Sequence, residues 1–272
     1  MIIDTHVHFG SFIGFEMPQE SILYSMEKYH IDYSIVSNSE AAEVDQNQKP
    51  IPKELQHSQR ECIEKTLAFV RQNPHKIGAA LWVKPAAEGA NQEFQDLLEE
   101  NLSDILAIKV HPYHSKIAFD APQVEAYIKL AQKYHLPVIT HTGNGDEDSC
   151  VRVFRMAQKY PDVKFIMAHM GLGTDNKEAI DLLAQQPNLY GDTTWVSVES
   201  TLAAIKRCGS ERILFGSDNP IDGKDTYFCN RTGDRSLYQQ YFNEFKGLVS
   251  TEDYENIFFK NALRVFNIPI AF

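Results

Sequence analysis

The chain has 272 residues, of which 43% are hydrophobic, 11% aromatic and 23% charged, the balance of a globular rather than a disordered protein. Asp and Glu number 37 against 26 Lys and Arg, so the net charge is −11. That excess argues against nucleic-acid or anionic-membrane partners and leaves only a local basic pocket open. Four scattered cysteines, Cys62, Cys150, Cys208 and Cys229, form no CxxC pair and read as the reduced thiols of a cytoplasmic protein. The opening Met1-Ile-Ile-Asp-Thr-His6 has neither the basic nor the apolar region of a secretion signal, and nowhere do eighteen apolar residues run together. The expectation is a soluble, cytoplasmic chain with residues 1–272 in a single domain, since an α/β barrel commonly fills about 250 residues.

Short apolar runs alternate with amphipathic stretches along the whole chain. In order, the predicted strands are Ile2–Thr5, Tyr33–Ser37, Ile77–Val83, Ile105–Val110, Pro137–Thr140, Val163–Ala168, Leu189–Gly191 and Ile213–Gly216. Their starts lie roughly thirty residues apart, about one strand-helix step. Between them the spacing predicts helices such as Leu55–Arg71, with Cys62, Ile63, Leu67 and Val70 on one face, and Val124–Tyr134, with Tyr127, Ile128 and Ala131. Eight strands, each followed by a helix, predict a parallel sheet, and eight is the number that closes a barrel with its active face at the strands' C-terminal ends. An open doubly wound sheet fits the same alternation, but neither GxGxxG nor GxxxxGK[ST] is present to support it. Two connections exceed what packing requires and read as lids or binding loops: Asn38–Glu54 and Asn219–Arg235.

The strand ends carry the chemistry. His6 and His8 close the first strand two residues apart, so both side chains fall on one face, close enough to share an ion. His141 closes the fifth strand, His169 the sixth and Asp218 the eighth, while Lys109 and His111 close the fourth. In a barrel these ends converge on one rim, and histidines with a carboxylate suit zinc or a similar divalent ion. By contrast, His30, His57, His75 and His135 fall in helical patterns or in turns before strands, where solvation or a helix C-terminus accounts for them.

The ordered set Asp4-Thr-His6-Val-His8, Ile108-Lys109-Val-His111-Pro112, Val138-Ile-Thr-His141-Thr-Gly143, Ala168-His169-Met-Gly171 and Leu214-Phe-Gly-Ser-Asp218-Asn-Pro220 resembles the amidohydrolase superfamily. More narrowly it resembles the amidohydrolase-related group that lacks a flanking β-sandwich domain. The closing segment, with Asn261-Ala-Leu-Arg264-Val-Phe266, resembles that family's final helix. The resemblance implies a distorted (β/α)8 TIM-type barrel holding one or two metal ions. By position it makes His6, His8, His141 and Asp218 metal ligands. It makes His169 either a second-metal ligand or a catalytic group, and Lys109 either a carboxylated bridge or a substrate contact. TatD-like nucleases also begin with HxH but are expected to carry a glutamate in the region where this chain has Lys109.

The implied chemistry is hydrolysis of an amide, lactone or other ester-like bond of a small molecule. The ion lowers the pKa of a water, Asp218 serves as base and His169 stabilises developing negative charge. The alternative within the same group is decarboxylation of a small aromatic or unsaturated carboxylic acid. A barrel that binds without catalysis would lack a base or a ligand, and none is missing. Lys109, His111, Tyr113, His114, Trp195 and Arg231 are the expected substrate shell. Zinc is the first expectation for the metal, with Mn2+ and Fe2+ compatible with the same donors. No nucleic acid or membrane is expected as a partner; a homo-oligomer follows the habit of the family, and the residues leave the oligomeric state open.

Overall fold

A computed structural model describes residues 1–221 and 237–268. The strands are β1 (Ile3–Phe12), β2 (Phe15–Met17), β3 (Tyr33–Asn38), β4 (Ile77–Trp82), β5 (Ile105–Val110), β6 (Val138–Gly143), β7 (Phe165–Leu172), β8 (Leu189–Asp192) and β9 (Ile213–Leu214). The helices are α1 (Gln19–Tyr29), α2 (Gln59–Gln72), α3 (Gln92–Glu100), α4 (Pro112–Ser115), α5 (Pro122–Lys133), α6 (Cys150–Lys159), α7 (Lys177–Gln185), α8 (Val198–Cys208), α9 (Leu237–Asn243), α10 (Thr251–Glu255) and α11 (Asn261–Phe266). A π-helical turn over Asn256–Lys260 joins the last two. No helix among the described residues is long and apolar enough to cross a membrane.

Strand order separates a barrel from an open sheet. The sheet runs β2-β1-β3-β4-β5-β6-β7-β8-β9, and every pairing except the β1–β2 hairpin is parallel. A doubly wound sheet reverses its order at a switch point; here, apart from the antiparallel hairpin strand β2, the parallel strands follow chain order from β1 to β9. The ring closes just past β9. Thr5 N donates to Phe215 O at 2.9 Å, Asp218 N to His6 O at 2.9 Å and His8 N to Asn219 O at 2.8 Å, around a parallel bridge between Val7 and Asn219. Register shifts in β1, β4 and β6 distort the ring. This is the single α/β domain of TIM-barrel type that the sequence predicts.

Alternation along the strands sorts side chains to the two faces. Ile108, Val110, Val138, Phe165 and Met167 pack outward against Leu98, Tyr127, Ile128 and Val153 of the helices. Ile139, Ile166, Ala168 and Leu214 point inward, in the cluster that α11 joins through Ala262, Val265 and Phe266. That cluster also holds Ile3, Tyr33 and Leu106, so α11 plugs the end where the strands begin and leaves the opposite end for the site. Asn261 fastens the plug, its Nδ2 donating to Ser210 O at 2.7 Å and Ile213 O at 2.8 Å.

Local departures from the predicted elements have local causes. The helix expected from Leu55 begins at Gln59, because Ser58 forms a capping box: Glu61 N donates to Ser58 Oγ at 3.1 Å, and Ser58 N donates to Glu61 Oε2 at 2.7 Å. The first strand runs on to Phe12 and turns back as β2, a hairpin the short apolar run Ile2–Thr5 did not announce. Cys62 and Cys150 are buried and Cys208 is half-buried, all as free thiols, and Cys229 lies outside the described residues.

Candidate metal centre and active site

The residues singled out at the strand ends meet at one end of the barrel. His6 Nε2 and His8 Nε2 lie 3.1 Å apart, and Asp218 Oδ1 is 3.3 Å from the first and 3.1 Å from the second. Ligand atoms of His6, His169 and Asp218 all fall within 4.8 Å of one another. Four donors about 2.0–2.1 Å from a tetrahedral ion stand roughly 3.3 Å apart, so the spacing of His6, His8 and Asp218 fits an N/O site for a divalent cation. His141 packs edge-on against His169, with ring centroids 4.8 Å apart, and its Nε2 lies 3.4 Å from Asp148 Oδ2.

Second contacts set which nitrogen each ring offers. His6 Nδ1 donates to Asp192 Oδ2 at 2.8 Å, and His169 Nδ1 donates to the Thr194 carbonyl at 3.2 Å. Each ring therefore keeps its Nε2 lone pair, the form a metal takes. His8 Nδ1 meets Ser37 Oγ at 3.1 Å. Burial and the neighbouring Lys109 hold the His6 imidazole well below its ordinary pKa, and burial does the same for His169, His141 and His111. These four rings are neutral at pH 7. A neutral His169 whose Nδ1–H is spent on Thr194 has no proton at Nε2 to give a carbonyl oxygen, so the geometry suits a lone-pair role.

Asp218 is held on both oxygens. Trp195 Nε1 donates to Oδ2 at 2.8 Å, while Oδ1 faces the histidine pair. Burial pushes this carboxyl up, but the bond from His8 and the charges that His6, His8 and His169 take on in acid outweigh it and hold the group well below the usual carboxylate range. It is ionised at pH 7, as a ligand or base must be. Lys109 is 1% exposed, with Nζ 2.9 Å from His6 Nε2. Burial lowers its pKa to about 8 against the opposing pull of Asp192 and Asp218. A substantial neutral fraction therefore exists near pH 8, and neutral amine is the form that either takes up carbon dioxide or tolerates a neighbouring cation.

The backbone is bent to aim these groups. His169, Trp195 and Asp218 have φ of 68°, 57° and 63°, in the left-handed region that costs a non-glycine residue about 1 kcal/mol or more. Hydrogen bonds hold two of them there: His169 N donates to Asp192 Oδ1 at 2.8 Å and Asp218 N to His6 O.

Above this floor is a cavity of about 610 Å³. His8, His111, His141, His169, Asp148 and Asp218 line it below, and Phe12, Ile13, Phe15 and Met17 of the β1–β2 hairpin, with Leu172 and Ile221, supply an apolar wall. Trp82, His111 and His141 form a column of near-parallel rings, with centroids 4.8 and 4.1 Å apart and interplanar angles of 14° and 13°. Tyr113 and His114 also face the cavity, pinned to the 38–54 connection by Tyr113 Oη to Gln46 O at 2.8 Å and His114 Nδ1 to Val44 O at 2.9 Å. That connection contributes Ser39 and Gln46 to the lining. Trp195 stands behind Asp218 rather than on the cavity surface, and Lys109 lies beneath the histidines. Arg231, and the 219–235 loop beyond Ile221, lie outside the described residues.

The sequence reading missed Asp192, Thr194, Ser37, Asp148, Trp82 and the apolar hairpin. Asp192 had a signal: it follows the run Leu189–Gly191 and so is one more polar residue at a strand end. Ser37 and Trp82 lie at the ends of their strands but are of types that packing alone explains.

Solved structures of the same fold include a dihydroxybenzoic acid decarboxylase from Polaromonas sp. JS666 with bound manganese and the inhibitor 2-nitroresorcinol. It is 16% identical, aligned over 99% of this chain and 98% of that one, with a TM-score of 0.69. The 4-oxalomesaconate hydratase of Rhodopseudomonas palustris is 17% identical over 98% and 96% of the two chains, with a TM-score of 0.71. The 5-carboxyvanillate decarboxylase of Sphingomonas paucimobilis is 12% identical over 98% and 99%, with a TM-score of 0.68. Comparison with curated proteins finds no matching sequence. The sequence model of the amidohydrolase family matches residues 3–268, nearly the whole chain; the protein belongs to that family and is an enzyme of the amidohydrolase superfamily, with a barrel suited to metal-dependent catalysis.

Proposed function

We propose that this enzyme hydrolyses an amide, lactone or other ester-like bond in a small molecule with one apolar or aromatic part. The observation that carries the reading is the setting of Asp218, ionised, shared between His6 and His8 on one oxygen and anchored by Trp195 on the other. His6, His8 and Asp218, with the lone pairs of His141 and His169, would hold a divalent ion, which would supply the Lewis acidity that makes water a nucleophile near neutral pH. Asp218 takes the proton of the attacking water and returns it to the leaving oxygen or nitrogen. The Trp195 bond keeps the carboxylate facing the cavity through that exchange. The hairpin wall of Phe12, Phe15 and Met17 receives the apolar part of the substrate and keeps bulk water from the reacting centre.

For the metal we propose zinc first, since imidazoles and a carboxylate suit it and His6, His8 and Asp218 stand at tetrahedral spacing. A related fold holds manganese, and Mn2+ or Fe2+ fits the same donors. With a second ion, Lys109 carries a carboxyl group formed from its neutral amine and carbon dioxide, with loss of one amine proton; with a single ion it faces substrate. We further propose that the enzyme acts in the cytoplasm, as a homo-oligomer, on small molecules alone, with no nucleic-acid or membrane partner.

A second reading has its own support. The planar column of Trp82, His111 and His141 beside the carboxylate suits a flat aromatic acid, and two of the related folds above are decarboxylases of such acids. The test is turnover of a panel of lactones, aryl esters, anilides and hydroxybenzoates in 18O-labelled water, with metal content measured by elemental analysis and Asp218→Ala as control. Hydrolysis places one labelled oxygen in the product and releases no carbon dioxide. Carbon dioxide without label overturns it in favour of the lyase. Protein that takes up no metal after reconstitution overturns both.

A further inference from the structure

The site histidines are not anchored alike. His6, His8 and His169 are each held at Nδ1, by Asp192, Ser37 and the Thr194 carbonyl, and present Nε2. His141 is reversed. Its Nε2 lies 3.4 Å from Asp148 Oδ2, and its ring is clamped between His111, stacked at 4.1 Å, and His169. A neutral ring whose Nε2 faces a carboxylate oxygen carries its proton there and keeps the lone pair on Nδ1.

Asp148 reaches this place because the chain after β6 folds back on itself. Gly143 N donates to Asp148 O at 3.0 Å, closing the turn. The carboxylate then fills the space that two side chains would occupy. A Cβ on Gly143 would stand 2.6 Å from Asp148 Oδ2, and a Cβ on Gly145 would stand 2.7 Å from Oδ1. Neither glycine has the positive φ that would call for glycine on conformational grounds. Room for the carboxylate is the reason left. Asp148 is itself 2% exposed and faces the His141 ring, while nearby Arg152 is taken up by Asp120 and Asp146.

We infer that Asp148 is the positioning residue for His141: it accepts the Nε2 proton, fixes the ring and reserves Nδ1 for the cation, with Gly143 and Gly145 left bare to let the carboxylate in. This rests on the metal reading above. Outer-shell carboxylates of this kind change metal affinity by about 10–100-fold when altered.

The test uses the full chain, stripped by chelator and titrated with Co2+, which reports both affinity and ligand field through its visible absorption. Asp148→Asn keeps the shape and removes the acceptor charge, and its Kd for Co2+ rises about 10–100-fold with an altered spectrum. Gly145→Ala leaves Asp148 in the sequence but displaces its carboxylate, and it moves both readouts in the same direction even should Asp148→Asn fail to fold. Since the two changes act through one contact, the double variant binds no more weakly than Asp148→Asn alone. Wild-type affinity and spectrum in Asp148→Asn overturn the inference, as do losses that simply add in the double variant. A wild-type chain that takes up no Co2+ overturns the metal reading and the inference with it, so the two failures are distinguishable.

Discussion

Asp192→Asn is the sharpest perturbation of the centre, because the substitution changes one proton's place and little else. Asp192 Oδ1 accepts two backbone N–H groups, His169 N at 2.8 Å and Thr194 N at 3.1 Å, and Oδ2 accepts His6 Nδ1–H at 2.8 Å. An asparagine there keeps its carbonyl oxygen on the two amides, since the opposite flip buries donor against donor twice. Its NH2 then faces His6, which must move its proton to Nε2. That nitrogen lies 3.1 Å from His8 Nε2 and 2.9 Å from Lys109 Nζ, where the lone pair is needed. Restoring the useful tautomer forfeits a charge-assisted bond of about 1.5–3 kcal/mol, which at 1.4 kcal/mol per decade is about 10–100-fold in metal affinity. Metal-free stability changes by only about 1 kcal/mol, because burial already pushes the Asp192 carboxyl up and a neutral side chain relieves a buried charge. Asp192→Ala behaves oppositely, leaving two buried N–H groups unpaired at about 1–3 kcal/mol each and unfolding earlier with or without metal. Chelator-competition titration gives the affinity, thermal melts the stability, and 15N-edited histidine NMR the tautomer. An Asp192→Asn protein with wild-type metal affinity and its His6 proton still on Nδ1 would refute the reasoning.

Three further outcomes are expected. Trp195→Phe removes the donor to Asp218 Oδ2, worth about 1.5–3 kcal/mol, and so raises that carboxyl by about 1–2 pH units; the acid limb of kcat/KM on a turned-over substrate shifts to higher pH, and an unmoved limb counts against Asp218 as base. Glu43 accepts Ala86 N and Ala87 N in a buried setting that pushes its carboxyl up from 4.5 to about 7. A raised folded value gives stability present below pH 4.5 and lost as pH climbs through 7, on the order of 3 kcal/mol; Glu43→Gln therefore melts higher than wild type at pH 8 but not at pH 4, and parallel melting curves at both would remove the premise. Asn261→Ala leaves the Ile213 carbonyl without a donor beneath the barrel plug, while Ser210 O keeps Ile213 N, costing roughly 1–3 kcal/mol, or a fall in Tm of about 2–6 °C; an unchanged Tm is the contrary result.

The fold was legible because its signal repeats. Eight apolar runs recur at one period, and each becomes a strand in place, from Tyr33–Asn38 to Ile105–Val110, since a parallel strand buried on both faces leaves an unbroken apolar trace. The hairpin of Phe12–Phe15 was not legible for the complementary reason. Its three pairings, Gly10 with Met17, Ser11 with Glu16 and Phe12 with Phe15, are local and half-exposed, and their residues carry no period that competes with a loop. Closure was half-legible: the count of eight suggested it, but the bonds that make it run between residues more than two hundred positions apart, such as Thr5 and Phe215.

The site divides along the same line. Residues that touch a cation must be of a few chemical types at strand ends, so His6, His8, His141, His169 and Asp218 stood out and the fold gathers them at one end of the barrel. The groups that orient them need only an oxygen at the right distance, and a serine hydroxyl, a backbone carbonyl and two carboxylates serve: Ser37, Thr194, Asp192 and Asp148. Nothing in a residue's type marks it for that work, so orientation is invisible until the chain is folded. Yet orientation decides the chemistry, because a carboxylate or carbonyl on one ring nitrogen fixes which nitrogen keeps its lone pair. The Thr194 carbonyl makes the point for His169: read from sequence, the ring serves equally as proton donor or as ligand, and one backbone oxygen 3.2 Å away takes the proton that the donor role requires. On the proposed reading, the reaction is set by the ligands in kind and by those unmarked neighbours in protonation.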